Sequence, residues 1–334
     1  MRSGLFLTLL MLATASGTHA TGASVRFLSK TEAGAALTGG DQQEYYGQLQ
    51  LAEMRAKTGL ALEEVSLDAA RVAARKAYGS STEDFTDGER AALQEAVDSM
   101  QPILVEKAPL YGRTPWCFIK VNATIEGGLP HTRGDCIVLA VGVLHALTEA
   151  HDKGKFDHPS QLWDLLLHEQ AHVLERRNPV LFAGLFTEVF GFRQVKVTPP
   201  EWLRLRRVIN PDAPVVEWIY PIGKGATRHW VLADIELSEL EHPHMPADFK
   251  IVALAVHENS NHRWVIDDAT IPAAQTDLES VADYVDAFPV KGEAFHPNEI
   301  AAEMLAELIV GAHMQNPAHE LWVPMKRWAD KALR

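Results

Sequence analysis

Leu162 to Arg177 reads LWDLLLHEQAHVLERR, a long helical segment with an apolar face. Asp157-His158-Pro159-Ser160 ahead of it offers capping side chains and an early proline. Asn178-Pro179 ends it, after two arginines suited to a helix C-terminus. Inside lies His168-Glu169-Gln170-Ala171-His172, the pattern HExxH. Residues four apart share a helical face, so both imidazoles can reach one cation. Glu169 then sits beside the metal, placed to take a proton from a metal-activated water and pass it to a leaving group. Imidazole nitrogen with carboxylate oxygen and one open position fits Zn2+ best. Two histidines on an ordinary solvated helix are the alternative, and the capped, apolar-faced setting argues against it.

A third ligand must come from elsewhere. His296 to Gly311 reads HPNEIAAEMLAELIVG, with Pro297 fit for the first turn of a helix. Glu299 and Glu303 are four apart and share a face. Glu299 is the expected ligand, with Glu303 the alternative. Glu303 would accept the outer N–H of a ligating imidazole, which orients the ring and raises its basicity. Glu307 continues that face one turn on and competes for the role. A solvated helix face is the ordinary meaning of such glutamate spacing.

HEQAH followed at a distance by NEIAAE resembles the gluzincin pattern, the thermolysin-like clan of zinc metallopeptidases. The resemblance implies ligands His168, His172 and Glu299, catalytic Glu169, and Glu303 beside a ligating histidine. The segments GLPHTRGDCIVL, LLLHEQAHVLERRNP and HPNEIAAEML are also similar to exported bacterial HExxH proteins of that clan. Two departures stand out. His172 and Glu299 are 127 positions apart, far more than in thermolysin-like enzymes, and VLERRNP after His172 carries no third histidine.

Upstream, Trp116 to Ile125 and Cys136 to Val143 are rich in aromatic and β-branched residues and read as strands. They give the edge along which zincins bind extended substrate. Cys117 and Cys136 are the two cysteines of the chain, and an even pair in an oxidising compartment reads as a disulfide. The bond would pin a hairpin-like unit and contribute ~3 kcal/mol by loop closure. Donors for the oxyanion of a tetrahedral intermediate are sought at His131, Tyr284 and His296.

Residues 1–20 read as a secretory signal. Arg2 precedes the apolar run Leu5 to Ala13, and Thr18-His19-Ala20 ends in a small residue. The run is too short for a permanent bilayer span. Residues 21–40 are small and polar and predict a flexible N-terminus. Asp41 to about Leu110 predicts some three amphipathic helices, broken at Gly79-Ser80-Ser81 and Asp87-Gly88. Prolines punctuate short β-like runs over 196–275, and helix returns from about Asp277. A formal net charge of −13 argues against a nucleic-acid-binding face.

The expected architecture is therefore α+β. A zincin-like catalytic domain spans 113–195 and 277–334, behind a helical region at 21–112 and around a β-rich insertion at 196–276. The expected activity is zinc-dependent hydrolysis of peptide bonds in a peptide or protein substrate. A zinc hydrolase of a non-peptide amide or ester and a non-catalytic zincin-fold binding protein are the alternatives. Export to a bacterial periplasm or the outside is expected, without nucleic acid or a stable membrane anchor as partner. The sequence does not fix the oligomeric state.

Overall fold

The computed structural model describes residues 23–154, 161–213, 217–266, 275–290, 294–311 and 314–334, and these form two sheets with helices packed on them. Helix outweighs strand, 52% against 19%, a mixture compatible with the α+β class. The signal-like residues 1–20 and the capping cluster 157–160 lie outside the described residues. No helix among the described residues is long and apolar enough to cross a membrane.

The first sheet holds β1 (Val25–Phe27), β2 (Thr82–Glu83), β3 (Trp116–Val121), β4 (His131–Arg133) and β5 (Cys136–Ala140). Its order is β1-β3-β5-β4, with β2 also on β3. β1, β3 and β5 run parallel, and β4 forms an antiparallel edge. Both central strands are buried at every position, as expected of parallel strands covered on two faces. The two-residue period sorts their side chains. Trp116, Phe118, Ile137 and Leu139 face one core, and Cys117, Ile119, Val121, Cys136 and Val138 face another.

Cys117 and Cys136 form a disulfide. It joins parallel neighbours, not the arms of a hairpin, because β4 and a turn intervene. That turn runs through Glu126, Gly127 and Gly128, all at positive φ. At Gly127 a side chain would strike Met245, so glycine is required there by space as well as by conformation.

Helices α1 (Lys30–Thr38), α2 (Gln43–Gln48), α3 (Leu51–Thr58) and α4 (Leu67–Ser80) supply the second core. Residues 23–40, expected to be flexible, instead form β1 and α1. Ser29 and Glu32 cap α1 reciprocally, which satisfies its free N–H groups. Helices α5 (Asp87–Lys107), α6 (Pro109–Arg113), α7 (Val141–Asp152) and α8 (Gln161–Arg177) contribute to the first core. Asp87-Gly88 is not a break. It is the first turn of α5, opened by a capping box of Thr86 and Glu89. Four helices thus occupy 43–107, where about three were expected, and β5 yields to α7 at Val141.

After α9 (Pro179–Gly184), the chain enters an antiparallel sheet of β6 (Arg193–Val195), β7 (Glu217–Ile222), β8 (His229–Leu237), β9 (Phe249–Glu258), β10 (Trp264–Ile266) and β11 (Gln275–Asp277). Helix α10 (Glu201–Arg206) lies between β6 and β7. One face of this sheet, through Trp218, Ile222, Val231 and Ala253, belongs to the same core as α8. The chain returns through α11 (Ala282–Val285), α12 (Pro297–Val310) and α13 (Trp322–Ala332).

α12 packs along α8 and is buried over nearly its whole circumference, so tertiary burial holds it rather than amphipathicity. Pro297 begins it and Gly311, at φ 71°, ends it. Each large apolar residue it buries, such as Leu305, is worth roughly 1.5–3 kcal/mol.

A candidate metal centre between α8 and α12

The packing of α8 on α12 sets three ligand-type atoms together. His168 Nε2 lies 3.1 Å from His172 Nε2 and 3.1 Å from Glu299 Oε2. His172 Nε2 lies 3.4 Å from the same carboxylate oxygen. Bonds of ~2.0–2.1 Å at tetrahedral angles place neighbouring ligand atoms about 3.3 Å apart. The triangle therefore matches one face of a tetrahedron around a small dication. This is the group of His, Cys, Asp and Glu side chains among the described residues that could hold a metal ion.

Each ligand-type residue is held from behind. His172 Nδ1 faces Glu175 Oε2 at 3.0 Å, and His168 Nδ1 faces Glu303 Oε2 at 3.5 Å. A carboxylate on the outer nitrogen fixes the tautomer that leaves Nε2 free to ligate. Glu299 Oε1 accepts from Asn210 Nδ2 at 2.5 Å and from Asn298 Nδ2 at 3.1 Å, which turns Oε2 toward the histidines.

The electrostatics suit a cation. Burial alone would drive the His172 imidazole down, but the carboxylates of Glu299, Asp212 and Glu175 outweigh it and hold the group well above the usual histidine range. For His168 burial likewise opposes, and Glu299 and Glu303 raise it to about 10. Burial pushes Glu299 up, yet the two imidazoles hold it well below the usual carboxylate range. Two histidines surrounded by more carboxylates than they can neutralise make a pocket in which a dication is the natural counter-charge.

Glu169 lines a cleft of about 590 Å³ together with His168, Glu299 and Glu303. The Thr132 hydroxyl lies 3.0 Å from Glu169 Oε2 and 3.1 Å from the Glu169 carbonyl. Burial, reinforced by the nearby Asp212 carboxylate and opposed by the two histidines, pushes Glu169 up to about 7. A carboxyl poised there can both accept and return a proton near neutrality. Val208, Ile235, Phe249, Ile251 and Phe295 give the same cleft an apolar lining.

The expected oxyanion donors fare differently. His131, on β4, lines this cleft. Its Nδ1 lies 3.1 Å from the Leu129 carbonyl, and burial drives its pKa down to about 4. A neutral ring donating through Nδ1 leaves Nε2 as a buried acceptor, and Nε2 has no hydrogen-bond partner. It cannot donate to an oxyanion in that state. Tyr284 is 1% exposed and packs among Phe192, Tyr220 and Phe288. It is a core residue of α11, outside the cleft lining, and its hydroxyl is unpartnered. His296 caps α12 by accepting from the Asn298 N–H. Glu307 accepts from the Gln315 backbone instead of joining the ligand triangle.

Sequence reasoning missed Glu175, Asn298, Asn210, Thr132 and Asp212. Glu175 was signalled by its position three residues after His172. The two asparagines and Asp212 carried no comparable mark. Neither family models, curated proteins nor solved structures gave a match to this chain.

Proposed function

We propose that this protein is a zinc-dependent hydrolase of the gluzincin type, acting on peptide bonds. The observation that carries the proposal is the tetrahedral-face triangle of His168, His172 and Glu299, with Glu169 beside it in an open cleft. The same proposal covers the zincin-like character of the fold around α8 and α12. It also covers export, which the Cys117–Cys136 disulfide and the signal-like leader favour.

Zinc held there would polarise a carbonyl as a Lewis acid and lower the pKa of a water. The rest falls to the chain. His168, His172 and Glu299 bind the ion, while Glu303 and Glu175 hold the imidazoles in the ligating tautomer. Glu169 accepts the proton of the attacking water at its carboxylate and returns it to the leaving nitrogen. Thr132 fixes the rotamer of that carboxylate. The apolar wall of β8 and β9 takes an apolar part of the substrate and excludes water.

Metal content of the purified protein tests this directly. About one zinc per chain is expected, lost in Glu299→Ala and retained in Glu169→Gln. Cleavage of a peptide mixture should vanish in Glu169→Gln. A wild-type protein that takes up no zinc on reconstitution would sink the proposal. Bound zinc with cleavage of amides or esters but no peptides would move it to the non-peptide alternative.

A further inference from the structure

The segment Ile209 to Asp212 reaches the free edge of the first sheet at its end, where Asp212 meets Thr132 of β4. In an antiparallel pair, residues alternate between those bonding to the neighbour strand and those facing outward. On β4 it is Thr132 that faces outward. Its N–H donates to Asp212 Oδ1 at 2.6 Å, and its carbonyl accepts from the Arg176 guanidinium at 3.2 Å. Pro130, two residues earlier on the same side, has no N–H to offer. The edge beside Glu169 therefore presents no unused outward N–H at either position.

This strap is anchored along its length. Ile209 N–H donates to Glu53 Oε1 at 2.6 Å, and Ile209 O accepts from Lys57 Nζ at 2.6 Å. Both partners are fully buried on α3. Asn210 bonds Glu299. Arg176, on α8 itself, donates to Pro211 O at 2.6 Å and Asp212 O at 3.1 Å. A segment tied to α3, α8 and α12 at once is a fixed wall of the site.

We infer that the strap closes β4 to strand addition, so that the site takes short peptides lodged in the cleft and not segments within a long unfolded chain. Main-chain pairing gives affinity in strand-addition binding. Here that affinity must come from the metal centre and from the apolar wall of Ile235, Phe249 and Phe295. The inference rests on the hydrolase proposal and names its substrate class.

The test is a length series on the zinc-loaded protein, from dipeptides to decapeptides with one apolar centre, run on wild type, Asp212→Asn and the double variant Asp212→Ala with Arg176→Ala. Wild-type kcat/KM should be flat or falling beyond about four residues. The double variant frees both outward groups of Thr132 and unties the strap from α8, and should raise the ratio of long to short substrate turnover about tenfold. Asp212→Asn keeps an acceptor for the Thr132 N–H and should hold the wild-type ratio. A wild-type rate climbing tenfold between four and eight residues overturns the inference, as does an unchanged ratio in a folded double variant. Amide exchange at Thr132 needs no turnover and separates this failure from failure of the peptidase proposal. Protection of that amide in the peptide-free, zinc-loaded protein supports a closed edge, and free exchange before any peptide is added overturns it.

Discussion

Asn210→Ala should weaken zinc binding about tenfold without unfolding the protein. Asn210 does not touch the metal position. It donates to Glu299 Oε1 at 2.5 Å, the shorter of the two side-chain amide contacts that orient this carboxylate. A hydrogen bond to a charged group contributes roughly 1.5–3 kcal/mol. Asn298 remains on the same oxygen at 3.1 Å and recovers part of that, so the net loss is placed near ~1.5 kcal/mol. At about 1.4 kcal/mol per tenfold, that is one decade, at the lower end of the 10–100-fold cost typical of losing a group behind a ligand. The assay is competition with a chromogenic chelator, beside far-UV circular dichroism and the melting temperature of the metal-free protein. Asn210 Oδ1 also accepts from Asp212 N–H at 2.9 Å, a local bond in a strap with four other anchors, so the metal-free protein should melt within a few degrees of wild type. Zinc affinity within twofold of wild type, with the fold intact, would refute the reasoning that Asn210 positions Glu299.

Further expectations follow from the same geometry. Glu169→Gln should lower kcat by roughly 10²–10⁴-fold, the usual worth of a proton-transfer group, with zinc content unchanged by elemental analysis. Glu175→Gln should cost about tenfold in zinc affinity, since it leaves His172 Nδ1 without its carboxylate. Lys57→Met leaves the buried Glu53 carboxylate without its cation, while Glu126 keeps Arg133, and breaking such a cluster from one side should cost ~3–5 kcal/mol in denaturant unfolding. His131 stays neutral down to about pH 4 when folded, against 6.5 for its ordinary value. The unfolded chain binds the extra proton between those values, so stability falls as pH drops from 6.5 toward 4, by roughly 3 kcal/mol in total. His131→Gln should flatten that part of the stability profile, and an unchanged slope would count against the buried neutral histidine.

What the sequence made legible follows the range over which its patterns act. HExxH and the Glu299–Glu303 pair are readable because a helix converts fixed spacing into a shared face, and α8 and α12 are helices. Glu175 obeys the same rule and could have been read from it. Asn210 and Asp212 could not, because they reach the site from an irregular segment, and no periodicity links them to His168. Tyr284 shows the converse failure. Its helix lies upstream of Glu299 in the chain, but its ring is claimed by Phe192, Tyr220 and Phe288, which are scattered in sequence. At 21–40 the small, polar composition predicts mobility, while Ser29 and Glu32 hold the spacing of a capping box. There the local capping signal outweighs composition. The parallel pairing of β3 and β5 was illegible for a different reason: strand propensity does not encode direction, and the short β4 between them carried the reversal.

The long separation of His172 from Glu299 is better understood from what fills it. The second sheet does not hold α8 and α12 apart, since they pack directly and one face of that sheet joins their core. The inserted chain supplies the site instead. β8 and β9 give Ile235, Phe249 and Ile251 to the cleft wall, and the strap before β7 brings Asn210 to Glu299. The strap in turn is fixed by Glu53 and Lys57 of α3, which bond both backbone groups of Ile209. Lys57 also meets Glu126 in the turn that leads to β4, so one buried ion cluster sets both the strap and the strand it covers. Orientation of Glu299 thus depends on residues from three separated stretches of chain. The segment that orients Glu299 is therefore held from α3, which makes the N-terminal helices part of the structure that shapes the candidate site.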